Sequence, residues 1–213
     1  MKNKLREKYE KIFENGVSLI ESAQKVAEIN NYGTATSLLI LGLEELIKYQ
    51  VFLNNLGEED VFEQSEFKKV FSDHKTKHSL ISELQEATFP EFTERFLEYV
   101  FQLATNQTLT ENNLKIEQNR FKENGVYFNS LYQEIKLSKE EILDFQKWLK
   151  HANSLKNKGF YVSLKKNQWT FPSQISKKEF KNALKYALAV KNQVEVSKSL
   201  DLTEQEFIDF LNG

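Results

Sequence analysis

The sequence predicts an all-α fold: a helical bundle with one small two-stranded β-hairpin near residues 160–171. Three observations carry that expectation. Helix breakers are scarce, with two prolines and seven glycines in 213 residues, and those are the residue types that most disfavour a helix interior. Apolar residues recur at three- and four-residue spacing over long stretches, which marks helices with one buried face. Ser/Thr-x-x-Glu boxes open several of these stretches, and such a box satisfies two of the N–H groups that a helix start leaves unpaired.

The first helix is expected over 4–29, where Leu5, Tyr9, Ile12, Phe13, Ile20, Ala23 and Ala27 form one stripe. Asn30-Asn31-Tyr32-Gly33 reads as a turn. A second helix follows over 34–54. It is apolar nearly all round from Leu38 to Leu46, so it is the natural central helix. Gly57 ends it. A third helix is expected over 63–86, with Phe67, Val70, Phe71, Leu80, Ile81 and Leu84 for packing. Pro90 suits the first turn of a fourth, over 90–104. Between 105 and 132 the pattern is weak: 119–124 has helical character, and Gly125 and Asn129 suggest a break. Ser138-Lys139-Glu140-Glu141 is a capping box that opens a helix to about 157. Phe160–Leu164 and Gln168–Phe171 then flank Lys165-Lys166-Asn167 as a hairpin. Ser176 and Glu179 form a second box, opening a helix that carries Phe180, Ala183, Leu184, Ala187, Leu188 and Val194. Thr203 and Glu206 form a third, opening a short terminal helix.

No repeat, linker or low-complexity tract divides the chain, so one domain over 1–213 is expected. A net charge of −2 excludes a surface that is basic throughout, but it leaves room for a local basic patch. The absence of Cys excludes disulfide and thiolate chemistry. The charged N-terminal stretch lacks the apolar core of a signal peptide. The longest apolar run, Leu38 to Leu43, is far short of the roughly 20 residues of a membrane span. A cytoplasmic location, away from the membrane, is the expectation.

Three segments carry candidate chemistry. In Leu43-Glu44-Glu45-Leu46-Ile47-Lys48, two carboxylates stand inside the most apolar helix. A buried carboxylate is costly unless paired, and Lys48 lies four residues after Glu44, in the favourable orientation for a pair. This is either an ion pair tying helices together or a functional carboxylate pair in a polar pocket. In the second segment His74 lies one turn from Lys77 and His78. An imidazole there can move a proton near neutral pH. Alternatively His74 and His78 ligate a metal with Glu44 or Glu45, or the segment is a solvated basic face. In the third, Lys156, Lys158, Lys165 and Lys166 surround Tyr161 and Trp169. That is a basic patch with aromatic rings able to stack on bases or meet a partner, or an amphipathic hairpin covering one end of the bundle.

In this order the segments resemble the AbiV family of bacterial abortive-infection proteins, which act in defence against phage. The family pattern is similar to Leu43-Glu44-Glu45-Leu46-x-Lys48, His74-x-x-Lys77, Lys158-x-x-Tyr161-Val162, Trp169 and Pro172 here, over about 15–175. Ser163 stands where the family often has Asp, and Lys158 where Arg is common. The stretch 105–134 matches no family feature. The resemblance implies an effector that arrests growth or translation, with RNA or the translation machinery as target and a phage-encoded protein as trigger. Small helical toxins of this kind resemble the HEPN superfamily of dimeric, metal-independent ribonucleases, which carry Arg-x4–6-His. This chain has Lys69-x4-His74, and Lys lacks the bidentate fork of Arg.

The leading expectation is therefore RNA cleavage without metal or cofactor: His74 moves a proton, Lys77 or Lys48 stabilises charge, and Glu44 or Glu45 orients them. The rival is a non-catalytic protein that docks on a host or phage partner through the hairpin. A homodimer is expected from helix one, where Val17, Leu19 and Val26 fall outside the main stripe.

Overall fold

The computed structural model describes residues 2–53, 65–86, 137 and 139–212. The fourth helix expected over 90–104, the stretch 105–132 and the Ser138 cap lie outside these residues. Among the described residues the chain is helical apart from short connections and one hairpin.

Helix α1 (Lys2–Glu28) and helix α2 (Tyr32–Leu53) form an antiparallel pair. The turn between them is made by asparagines. Asn30 takes a left-handed conformation, φ 61°, which Asn tolerates better than most residues. The Asn31 side chain accepts the Thr34 backbone N–H and caps α2. Gly16 and Gly42 let the two helices approach closely: a Cβ on Gly42 would lie 2.9 Å from Ile20 and 3.0 Å from the Gly16 carbonyl oxygen. Tyr9 stacks on Phe52 at 3.8 Å where the pair ends.

Helix α2 is the axis of the bundle, as its all-round apolar pattern requires. Leu39, Ile40, Leu43, Leu46 and Ile47 are almost wholly buried, and α2 packs against α1 and against the later helices. Val17 and Val26 of α1 pack against this same core and Leu19 is half-buried.

The helix expected over 63–86 is two helices, α3 (Ser65–Ser72) and α4 (His74–Glu86). Asp73 divides them. Its carboxylate accepts the backbone N–H groups of Lys75 and Thr76 and the Thr76 hydroxyl, so it starts a new helix rather than continuing the old one. These bonds hold the Asp73 carboxyl below its ordinary range, the Thr76 hydroxyl contributing most.

Helix α5 (Lys139–Phe160) runs antiparallel to α2 and reaches three residues past its expected end. Its Phe145 and Trp148 rings pack against Tyr186 of helix α6 (Lys177–Asn212). The hairpin is correspondingly shorter than expected: β1 (Ser163–Lys165) pairs antiparallel with β2 (Gln168–Thr170). Lys166 and Asn167 both have positive φ, 48° and 62°, the geometry of a two-residue type I′ turn that matches strand twist. A 3₁₀ turn, Pro172–Gln174, follows.

The Ser176–Glu179 box forms as expected, Glu179 accepting the Ser176 N–H and Ser176 accepting that of Glu179. Phe180, Ala183, Ala187 and Val194 are buried on α6, with Leu184 and Leu188 at the edge of the core. The separate terminal helix expected at Thr203 is instead a continuation of α6. Neither Gly nor Pro interrupts 177–212, so a capping pattern there lacks the break that would put it to use.

Candidate functional site: a buried carboxylate holding two lysines and a surface histidine

The site is assembled by two close approaches of α5 to α2. Gly159 of α5 lies against the start of α2: a Cβ there would meet the Ser37 Oγ at 2.1 Å and the Gly33 oxygen at 2.3 Å. One turn earlier in α5, the Ser37 hydroxyl donates to the Lys156 carbonyl at 2.7 Å. Ser37 and Glu44 are seven residues apart and share a face of α2, so anchoring Lys156 at Ser37 aims its side chain along α2 toward Glu44.

Glu44 is the hub, its side chain 2% exposed. Lys156 donates to Oε1 at 2.8 Å, and Lys77 lies 3.3 Å from Oε2. His74 Nδ1 is 2.8 Å from Oε2. His78 Nε2 lies 3.4 Å from Oε1 and makes no hydrogen bond among the described residues. Burial by itself would push the Glu44 carboxyl up. The neighbouring His78, the hydrogen bond and charge of Lys156 and the charge of Lys77 overcome it and hold the carboxyl well below the usual carboxylate range.

An ionised Glu44 decides the tautomer of His74. A carboxylate can only accept hydrogen bonds, so at 2.8 Å the proton must sit on Nδ1. The 3.1 Å approach of Lys156 Nζ to the same nitrogen is then a contact between two donors, both satisfied by Glu44. In the neutral ring this leaves the lone pair on Nε2. Lys77, Lys156, His78 and Glu44 are all largely buried, while the His74 side chain is 43% exposed. Buried Glu44, held in turn by Lys77 and Lys156, thus fixes the orientation and tautomer of one accessible imidazole.

Of the five candidate catalytic residues, the structure brings Glu44, His74 and Lys77 together. Glu45 and Lys48 stand apart from that cluster as a pair of their own. Lys48 bonds Glu45 at 2.5 Å, in place of the expected Glu44, and lies over the Phe71 ring. Adjacent positions on a helix point about 100° apart, so only one of two neighbouring glutamates can face a given helix. Lys69 is exposed on α3.

Lys156 is the residue that sequence reasoning misplaced, by assigning it to the surface patch. The signal was present: Phe145, Leu149, Ala152 and Lys156 follow one helical stripe, and the first three are core. Among the described residues no group of three or more His, Cys, Asp or Glu side chains is arranged to hold a metal. The ammonium groups of Lys77 and Lys156 already occupy the Glu44 oxygens that a metal would need.

The binding candidates lie elsewhere. Lys158 lines a cleft of about 290 Å³ between α5 and α6, with Trp148, His151 and Glu179. Tyr161 and Trp169 are exposed, 64% and 57%, so the hairpin does not tuck its large residues under the bundle. Ser163 spends its hydroxyl on Thr170 across the strands, at 2.6 Å.

Fold and site together define a helical bundle whose central helix presents a buried carboxylate to a surface histidine. The family model HEPN_AbiV, described as AbiV, matches residues 4–192, and the chain belongs to that family. Comparison with curated proteins and with solved structures returned no match. Membership gives the chain an abortive-infection role in phage defence. No described helix is long and apolar enough to cross a membrane.

Proposed function

We propose that this chain is a cytoplasmic abortive-infection effector that arrests translation by cleaving RNA without a metal. The observation that carries the reading is the 2.8 Å contact of ionised Glu44 with His74 Nδ1. It leaves Nε2 of this partly exposed ring as a base. In the reaction His74 Nε2 takes the proton of a ribose 2′-hydroxyl. That oxygen attacks the adjacent phosphorus, the bond to the 5′ oxygen breaks, and water protonates the leaving oxygen. The products are a cyclic phosphate and a 5′-hydroxyl end. Glu44 stabilises the imidazolium as it forms. Lys77 and Lys156 keep Glu44 ionised and contribute positive potential beneath the phosphate. Lys48, paired with Glu45, has no part in this scheme. A phage-encoded protein is the natural trigger for such an effector.

The test is incubation of purified protein with labelled RNA in EDTA. Cleavage by the wild-type chain and its loss in His74→Ala, with the melting temperature unchanged, is the expected result. Cleavage only with added divalent metal overturns the mechanism. Absence of cleavage under both conditions, with toxicity intact in cells, moves the function to a non-catalytic docking protein. The exposed apolar residues of the hairpin are the observation that favours this second reading.

A further inference from the structure

The hairpin is built inside out. Leu164 and Trp169 pair across the strands, and alternation puts Val162 and Phe171, one residue beyond the strand ends, on their face. A two-stranded ribbon on a bundle ordinarily turns such a face inward. Here Val162, Leu164, Trp169 and Phe171 are 53%, 51%, 57% and 42% exposed. The other face carries the polar pair Ser163 and Thr170 and, at the tip, Lys165 and Gln168. The Trp169 and Phe171 rings are near parallel, 23° between planes, and Tyr161 stands exposed where the chain leaves α5.

The charge around this face is lopsided. Residues 145–178 contain eight lysines and no Asp or Glu. With the whole chain at −2, the remainder stands at −10. Of the eight, only Lys156 is buried. Lys165 and Lys166 are exposed at the hairpin tip, and Lys177 and Lys178 are exposed just beyond it. Exposed aromatic rings in a lysine-rich segment that holds no carboxylate from 145 to 178 suit a ligand that offers flat π faces on an anionic backbone. An apolar protein partner would account for the exposed face but not for the exclusion of acids.

We propose that this hairpin is a docking surface for single-stranded RNA, with bases stacking on Trp169, Phe171 and Tyr161 and phosphates meeting the two lysines at its tip, Lys165 and Lys166. The choice of RNA rests on the ribonuclease reading. The location favours it too: Tyr161 follows α5 directly, five residues after Lys156, whose side chain reaches Glu44 in the His74 site.

The test uses the full chain carrying His74→Ala, which cannot consume its ligand, and a labelled oligouridine of about a dozen nucleotides, enough to span one binding site. Fluorescence anisotropy is read across salt concentrations. Trp169→Ala should weaken binding roughly tenfold or more, the size of one lost stacking contact. Lys165→Ala with Lys166→Ala should weaken it and reduce the log–log salt slope by about 1 to 2, whereas Lys25→Ala on α1 should change nothing. A duplex, whose bases are already stacked, should compete poorly. Equal affinity of the Trp169 variant, equal competition by the duplex, or self-association that disappears with Trp169→Ala, the sign of a second copy on this face, each overturns the proposal. Binding without any cleavage by the wild-type chain leaves this proposal standing and sinks the ribonuclease reading. Cleavage without hairpin-dependent binding does the reverse.

Discussion

Glu44 and His74 do different work, and substitutions at the two should separate it. Glu44→Gln removes the single negative charge that two buried lysines share. Removing one partner of a buried ion pair costs about 3–5 kcal/mol, so this variant should lose several degrees of melting temperature whether or not the site is catalytic. His74 is half-exposed at the edge of the cluster, and His74→Ala should cost less than about 1 kcal/mol. Loss of growth arrest in the second variant, at near-wild-type stability, therefore identifies function where loss in the first does not. The pH dependence has a definite sign. Because folding lowers the Glu44 carboxyl, its contribution is complete above the ordinary value of 4.5 and is lost as pH falls from there toward the lowered folded value. Thermal melts should show wild-type stability dropping through that acid window, with the advantage over Glu44→Gln shrinking in step. A constant gap between the two proteins across the window would mean that the Glu44 charge is not what stabilises the fold.

At the scale of elements, the site depends on how closely α5 can lie on α2. Replacing a helical glycine by alanine normally stabilises by up to about 1 kcal/mol. At Gly159 the new Cβ would lie 2.3 Å from a backbone oxygen of α2, and backbone cannot rotate out of the way. Overpacking of this kind costs about 1–3 kcal/mol, so the clash wins. Gly159→Ala should lower stability in a denaturant melt and also impair arrest, since it pries Lys156 away from Glu44. Unchanged stability would show that the helices lie further apart than this geometry requires. The same contact explains what the sequence could and could not reveal. Glu44 was legible because a carboxylate in an apolar helix demands partners, and the Lys166-Asn167 turn because the β pattern changes around it. The partner helix was not legible, since no local pattern says that Gly159 seats on Gly33. Lys156 was read as surface because lysine usually is, although its stripe of Phe145, Leu149 and Ala152 is core. The break at Asp73 is not legible because Val70 and Ile81 stand three helical turns apart and keep one apolar period across it, while a single side chain redirects the backbone.

For the whole molecule, α2 serves two purposes that pull against each other. It carries the core residues Leu39, Leu43 and Leu46, and between them it holds the buried carboxylate of Glu44. A charge so placed is tolerable only while α4 and α5 stay docked, because they bring the lysines. The cluster should therefore couple the docking of α4 and α5 to the central core, and hydrogen exchange can read that coupling residue by residue. In the wild-type chain the amides of 39–49 should exchange only through global unfolding. Those of 74–83 should exchange somewhat faster, because α4 can open while the helix pair α1–α2 persists. In Glu44→Gln the lysines repel each other with no carboxylate between them, so exchange over 74–83 should accelerate well beyond that over 39–49. Equal acceleration in both segments would mean that α4 does not open on its own. His74 would then be fixed by the fold as a whole. Selective acceleration over 74–83 would identify the Glu44 cluster as the clamp that sets the position of His74, and would predict that any trigger which loosens α4 also changes how often the histidine is in place to act.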